Sequence, residues 1–598
     1  MVKNLPADWP CMSVAAAHDQ LTSRGAPWEI ETVIIDGIET RVYKATPPNL
    51  RVIFEATRDY GDLEFMVYEG ERVTYSEHYR VVSKFARILT EKYSIKKGDR
   101  VALAMRNLPE WVICFWAVVT IGAVIVPLNA WGTGVELVYG VSNSGSRIAI
   151  LDAERLRRLH PHLRRLNLSA VIAVRTLAEQ AKGADRFEDF VAHPSEYSVL
   201  PDDGLPHADI HPDDIATIFY TSGTTGKPKG AVGTHRNITT ISGNASLTVA
   251  RAALRRGDEI PVPDPDTQNV GLVSVPFFHA TGCHATLVPT VATGGRLVIM
   301  VRWDPERALE LIDEERVTSF GGVPAMVWQV LESPKFLQHD LSSVLRVGYG
   351  GAPSAPDLVA RIKQQFPHAA PSNGYGLTET SSITTRNVAE DYINRPDSAG
   401  VAVPTCDLKI VDDQSNALPP GEVGELWIKG PNVVKGYWNN PQATADAFTD
   451  GWFHSGDLVR MDDEGFVVIV DRAKDMLIRG GENIYCIEVE DALFSHRAVM
   501  DVAVVGIPNR ILGEEVGAIV QIAPGKSATE KELMAHVRKL LAGFKTPIAI
   551  ELRAEPLPRN ANGKIVKAVL RDHMKRYSRD ARSPKSMAGT TTVGRLTK

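Results

Sequence analysis

Residues 220–230 read YTSGTTGKPKG, and the run that leads into them, 215–220 (IATIFY), is apolar and β-branched. A run of that kind ending in turn residues predicts a buried strand. The strand opens into a loop carrying Thr221, Ser222, Gly223, Thr224, Thr225 and Gly226, followed by Lys227 and Lys229. Glycines let backbone N–H groups come close to an anion, hydroxyls donate hydrogen bonds, and ammonium groups neutralise charge. The loop therefore has the outline of a phosphate cradle. It is not the Walker loop, which sets four residues between its first glycine and its Gly-Lys and then places Ser or Thr. Here only Thr224 and Thr225 separate Gly223 from Gly226-Lys227, and Pro228 brings neither hydroxyl nor N–H. Composition alone also fits an ordinary surface loop, so the rest of the chain has to decide.

At 598 residues the chain has length for roughly four units and a large core. Its net charge of −6 makes no electrostatic case for nucleic acid or an anionic membrane. Five scattered cysteines without a CxxC pair argue against a disulfide framework or zinc site and fit a reducing cytoplasm. Residues 1–14 lack the apolar centre of a signal peptide. The uncharged run 111–127 (WVICFWAVVTIGAVIVP) is short for a membrane span and is punctuated by Gly122 and Pro127. It reads as a buried helix to about residue 120, then a strand over 123–126.

Strands and helices alternate from about residue 74 to 200, the pattern of a doubly wound α/β unit. Residues 153–168 (AERLRRLHPHLRRLNL) are basic and could suggest an anionic partner, but they read first as a solvated helix face interrupted by Pro161. A strand-like run, 270–278, leads into His279, which on its own reads as a packed core residue. The glycines of 318–326 (TSFGGVPAM) and 344–353 (VLRVGYGGAP) lack the dinucleotide spacing and instead mark close backbone approach to a neighbour or a flat ligand. Residues 373–380 (NGYGLTET) bring an amide, a ring, a hydroxyl and a carboxylate into one loop. Those groups can recognise a base, stack on it, bond a phosphate and hold a divalent cation.

From residue 411 the chain turns β-rich, with a hairpin turning at Pro419-Pro420-Gly421 and Asp457 placed on a tight turn in WFHSGDL. Residues 471–475 (DRAKD) read as a solvated linker, and strands at about 501–506 and 515–522 precede a helix capped by Thr529 and Glu532. In 558–567 (PRNANGKIVK) a lysine sits on an Asn-Gly turn, ordinarily a plain surface position, and the stretch from about 576 has a disordered composition.

Residues 220–230 together with 373–380 resemble the signature loops of the adenylate-forming superfamily, which holds acyl-CoA synthetases, luciferases and peptide-synthetase adenylation domains. The resemblance covers nearly all of 51–575, with every loop in the expected order. It implies a large N-terminal α/β domain of several subdomains (51–473) and a small mobile α+β C-terminal domain (474–575). An unassigned leader (1–50) and a disordered tail (576–598) flank them.

The resemblance also implies roles. The 221–229 loop and Gly351, Ala352, Pro353, Asn373, Gly374, Tyr375 and Gly376 hold ATP or AMP. Thr378 meets the α-phosphate, Glu379 holds Mg2+, Asp457 meets the ribose, and Arg472 meets the ribose or the α-phosphate. His279 walls the acid from the nucleotide, with Val323 and Met326 along the acyl pocket. Gly480 and Gly481 admit the arm of coenzyme A, Lys474 is the hinge, and Lys564 is catalytic.

The function implied is ATP-dependent joining of an apolar acid, a medium- or long-chain fatty acid first and an aryl or sterol-derived acid next, to coenzyme A through acyl-AMP. The expected partners are therefore small molecules, with no nucleic acid and no membrane-spanning segment. Peripheral membrane association and oligomeric state stay open. A fatty acyl-AMP ligase serving a carrier protein is disfavoured by the short run 379–400, and a silent nucleotide-binding relative by the intact Thr378, Glu379, Asp457, Arg472 and Lys564.

Overall fold

The IATIFY run forms the strand Ile215–Tyr220, buried along its middle. In the computed structural model, which describes residues 9–181, 183–221, 227–262, 264, 267–351, 356–480, 482–560 and 564–581, this strand lies second in a seven-stranded sheet. Across the sheet the order is Gly230–Thr234, Ile215–Tyr220, Val124–Pro127, Arg100–Ala104, Ile148–Asp152, Ala170–Val174 and Asp185–Arg186. Only the first pair is antiparallel; the other pairings are parallel. The lysine loop is thus the turn between an antiparallel pair at the end of a parallel array.

A second sheet of nine strands holds Val270–Val273, Arg296–Ile299, Ser319–Gly322, Arg346–Gly350 and Ala370–Tyr375 in parallel register near its centre. The helix Pro109–Thr120 supplies much of the core, with all twelve residues buried. A helix apolar on every side belongs inside a large domain. Among the described residues no helix is long and apolar enough to cross a membrane.

The leader, to which the sequence assigns no structure, forms a helix (Val14–Thr22) and a hairpin (Ile30–Ile35 with Ile38–Tyr43). Both brace the long helix His235–Arg256: Tyr43 Oη donates to Asn244 Oδ1 at 2.9 Å, and Cys11 N donates to Arg255 O at 2.9 Å. The basic stretch is a helix (Ala153–Leu159) followed by a 3-10 turn (His160–Arg165), and it is not solvated throughout. Arg155 is buried, with Nε 2.6 Å from Asp152 Oδ1 and Nη1 2.9 Å from Ala130 O.

The chain divides into two compact units, Met1–Ser455 with Arg460–Val468, and Gly456–Val459 with Ile469–Lys598. The second carries a five-stranded sheet whose long hairpin, Val499–Asn509 with Gly513–Ile522, pairs in parallel with Ala549–Arg553. Helices Cys486–Phe494 and Glu530–Leu540 and the helix Lys567–Ala581 complete it. Thr529 and Glu532 form the expected capping box, and the last helix runs on past residue 575.

Two expectations fail here. Asp457 is not on a turn but inside the strand Trp452–Met461, buried like its neighbours Phe453 and Val459. Gly456 precedes it at φ +69°, a conformation that glycine adopts without strain. Nor is 471–475 a solvated linker. The strand Val467–Arg472 reaches into it, and Asp471 is buried, accepting hydrogen bonds from the backbone N–H groups of Arg472 and Cys486.

Candidate active site

The lysine loop and the Glu379 turn are far apart in sequence and are laced together by residues 434–438. Val434 N donates to Glu379 O at 2.9 Å, Lys435 N to Val232 O at 3.0 Å, Val232 N to Gly436 O at 2.9 Å and Trp438 N to Gly230 O at 2.7 Å. This backbone ladder places Tyr437 between the two motifs. Its hydroxyl donates to Glu379 Oε1 at 2.7 Å, while the Lys229 ammonium sits 4.7 Å from its ring centre. Burial, reinforced by the Glu379 charge, pushes the Tyr437 phenol well above its ordinary range, so it stays a donor. Lys227 lies 5.6 Å from the ring of Tyr139, and Thr221 N closes the loop on Lys229 O at 2.8 Å. Ser222, Gly223, Thr224, Thr225 and Gly226 lie outside the described residues.

Glu379 follows Thr378 in a 3-10 turn, Thr378–Thr380. Among the described residues its second carboxylate oxygen takes no hydrogen bond, and no cluster of three metal-ligating side chains exists. One buried carboxylate with a spare oxygen suits Mg2+, which takes one or two carboxylates and draws its other ligands from phosphates and water. Behind the turn, His284 is buried with Nδ1 3.3 Å from Ser381 O, and burial holds its pKa down to about 4. It is a neutral prop rather than a charge.

Asn373, Gly374 and Tyr375 end the strand Ala370–Tyr375 rather than forming a loop, with Gly374 level with Gly350 and Asn373 level with Tyr349 on the neighbouring strand. The glycines are needed for that closeness: a Cβ on Gly350 would fall 2.4 Å from Gly374 O, and one on Gly376 would fall 1.8 Å from Ser382 O. Gly351 follows at φ +75°; Ala352 and Pro353 lie outside the described residues.

On the acid side, the expected strand is short (Val270–Val273), and His279 N-caps a single turn, Ala280–Gly282. The His279 ring is half-buried, 4.5 Å from that of Phe278. Asn107 pins this segment, donating to Val275 O at 3.0 Å and accepting from Phe277 N at 2.9 Å. Val323 precedes the helix Pro324–Leu331. Met326 Sδ fills the space beside Gly322, 2.6 Å from where a Cβ would be, and Ser274 Oγ is 3.8 Å from the same sulfur.

The remaining predicted residues belong to the second unit. Arg472 Nε lies 3.1 Å from Asp457 Oδ1, and Ala473 N donates to Gly456 O at 3.0 Å. Burial, with Arg472 adding to it, lowers the pKa of Lys474. Gly480 (φ +60°) donates its N–H to Leu512 O at 2.8 Å, whereas Gly481 lies outside the described residues. Lys564 closes a short loop: its N–H donates to Asn560 Oδ1 at 3.0 Å and its carbonyl accepts from Asn560 N at 2.8 Å.

Sequence reasoning missed Tyr437, Asn107 and His284. Asn107, a lone amide between an apolar strand and the apolar helix that follows, offered a signal; Tyr437 and His284 offered none apart from their neighbours in space.

Comparison with known proteins places this arrangement. The profile of the AMP-binding enzyme family matches residues 53–438, and that of the AMP-binding enzyme C-terminal domain matches 488–564. A feruloyl-CoA synthase of an Amycolatopsis species is 35% identical over 84% of this chain and 94% of its own length. A long-chain-fatty-acid–CoA ligase of Bacillus subtilis is 32% identical over 86% of this chain and 92% of its own. Among solved structures, o-succinylbenzoate CoA synthetase of Bacillus subtilis, in complex with its acyl-adenylate intermediate, superposes with a TM-score of 0.71 at 27% identity, covering 89% of this chain and 98% of that one.

Proposed function

The chain belongs to the AMP-binding enzyme family, and on that premise we propose that it activates an apolar carboxylic acid with Mg-ATP and passes the acyl group to coenzyme A. Its chemistry is that of an acid–thiol ligase working through an adenylate. The observation that carries the reading is the convergence on Tyr437, whose ring lies under the Lys229 ammonium and whose hydroxyl donates to Glu379. A cation and a metal-competent carboxylate brought together from motifs about 150 residues apart suit a triphosphate and little else.

A carboxylate is a poor electrophile, because its charge is delocalised and its leaving group would be oxide. Attack of its oxygen on the α-phosphorus forms the acyl–AMP bond and expels pyrophosphate. Attack of a thiol on that acyl carbon then forms the thioester and expels AMP. In the first step charge gathers on phosphate oxygens, where Lys229, Thr378 and Lys564 supply donors. Mg2+ bound at Glu379 would add its own charge to the same oxygens. Asp457 takes the ribose hydroxyls with Arg472 beside it, Asn373 and Tyr375 take adenine with Gly351, and His279 stands between acid and nucleotide. Lys474 is the hinge, and Gly480 lines the path of coenzyme A.

The acid is a medium- or long-chain fatty acid in the first reading, since small apolar residues line the slot. A second reading is favoured by Met326, whose sulfur occupies the space beside Gly322, where a longer chain would otherwise pass. That placement suits an aryl acid such as the substrate named for the feruloyl-CoA synthase. Release of AMP from Mg-ATP, measured over fatty and aryl acids with and without coenzyme A, tests both. The ligase reading expects AMP and acyl-CoA together, with Lys564→Ala slowing acyl-AMP formation about 100- to 1,000-fold. Pyrophosphate release with retained acyl-AMP and no response to coenzyme A would move the acceptor to a carrier protein. A Lys564→Ala rate within tenfold of wild type would remove that lysine from the mechanism.

A further inference from the structure

In the nine-stranded sheet the strands Ser319–Gly322, Arg346–Gly350, Ala370–Tyr375 and Thr385–Val388 are neighbours. Phe320, Val347 and Tyr349 point to one face and are buried in an apolar cluster with the helices Pro305–Glu314 and Asp357–Gln365. The register puts Gly321, Gly348 and Ser372 in one row on the other face, and Gly350, Gly374 and Arg386 in the next. All six are half-buried. Parallel strands inside a domain are ordinarily covered on both faces. Here one face is packed, and the other is left accessible by residues with almost no side chain.

The helix His235–Arg256 closes that face where the strand Ala370–Tyr375 begins, since Ala252 packs there with Ala370 and Val388. Farther along, a Cβ placed on Gly374 would meet nothing within 4 Å. The face is therefore a groove at this point, and Arg386 stands level with its open part. The groove leads straight to the adenylate site, because Gly350 and Gly374 each stand one residue before Gly351 and Tyr375.

Arg386 is the charged side chain of this row, and among the described residues its guanidinium has no hydrogen bond or ion pair. Its carbonyl accepts from Arg251 Nη2 at 2.9 Å, which fixes backbone only. Asp391 is taken by Arg255, at 2.9 Å. Arg346, on the same face, has the same sign as Arg386 and donates to Asn269 Oδ1 at 2.6 Å. Desolvation, with the Arg346 charge adding to it, lowers the pKa of Arg386 to about 10. A guanidinium drawn partly out of water without an acceptor is unfavourable, and a ligand oxygen opposite it removes the penalty. Binding sites of this kind are mostly apolar, with a few placed polar groups that set specificity.

We propose that Arg386 is a specificity residue that donates to a second oxygen of the acid, a ketone or a second carboxylate carried on its apolar body away from the reacting carboxyl. The proposal rests on the ligase reading and narrows its substrate class. Gly350 and Arg386 are two strand spacings apart, roughly 10 Å, so the second oxygen belongs toward the far end of an acid of medium length.

The test uses the full-length protein with Mg-ATP and coenzyme A, reading kcat/KM from AMP release. The acids are the straight chains from hexanoate to dodecanoate, each with a methyl, a methyl-ketone or a carboxylate end. At its best length an oxygen-bearing acid should exceed the plain one at least about tenfold, the effect of a hydrogen bond to a charged group. That ratio should fall toward one in Arg386→Gln and return in part in Arg386→Lys, with thermal melting as the folding control. Preference for the ketone assigns a carbonyl oxygen to Arg386, and preference for the diacid assigns a second carboxylate. Plain acids used as well as their oxygen-bearing counterparts at every length would overturn the inference and leave the ligase reading standing. An oxygen preference that survives Arg386→Gln would overturn it too. No AMP from any acid would remove the ligase reading itself, and this inference with it.

Discussion

Tyr437→Phe removes one hydroxyl and leaves the ring, so the contact with Lys229 and the packing of 434–438 are kept. What is lost is the 2.7 Å hydrogen bond to Glu379 Oε1, between two residues each 9% exposed. A hydrogen bond to a charged group contributes about 1.5–3 kcal/mol net, and each 1.36 kcal/mol is a factor of ten. If Glu379 must be held in one rotamer to carry the metal, the adenylation step should slow about 10- to 160-fold at limiting Mg2+. Excess Mg2+ should recover part of that loss, because a loosened carboxylate binds the ion more weakly but in the same place. The assay is ATP–pyrophosphate exchange as a function of Mg2+, with thermal melting as the folding control. A purely structural tyrosine would lower the melting temperature and leave the Mg2+ dependence alone. Exchange within threefold of wild type at every Mg2+ concentration would refute the reasoning.

Asn107→Ala leaves the Val275 carbonyl and the Phe277 N–H without their partner; each costs about 1–3 kcal/mol, and the loosened segment should raise KM for the acid while KM for ATP holds. Lys567 Nζ lies 2.7 Å from Glu490 Oε1 inside the second unit, so Lys567→Ala strands a buried carboxylate and should cost that unit about 3–5 kcal/mol by calorimetry; adding Glu490→Leu should return much of it. Burial pushes Asp471 up to about 6 from an ordinary 3.8, so the folded unit favours its protonated form. The stability it contributes is therefore complete below about pH 3.8 and is lost as pH rises through about 6; a carboxyl-carbon NMR titration giving a midpoint below 4.5 would contradict that.

Local composition was enough to recognise the buried strand at 215–220, the buried helix ending at residue 120 and the capped helix at 530–540. Each is a statement about neighbours in the chain: apolar period and capping chemistry. The family and the two-part α/β plus α+β fold follow from the resemblance of the signature loops, taken in order. Where reasoning failed, the cause was long-range. Asp457 looked like a turn residue because Ser-Gly-Asp favours turns, but strand pairing overrode that preference. DRAKD looked solvated because its residues are charged, but the N–H of Cys486 caps Asp471 inside the unit. Arg155 looked like one more surface cation, yet it is buried against Asp152. The sequence by itself determined which backbone conformations and which chemical groups are available. Only the tertiary structure decided that Tyr437 would join Lys229 to Glu379. That contact joins residues 58 positions apart on one side and about 200 on the other, and local propensity holds no information about register between distant strands.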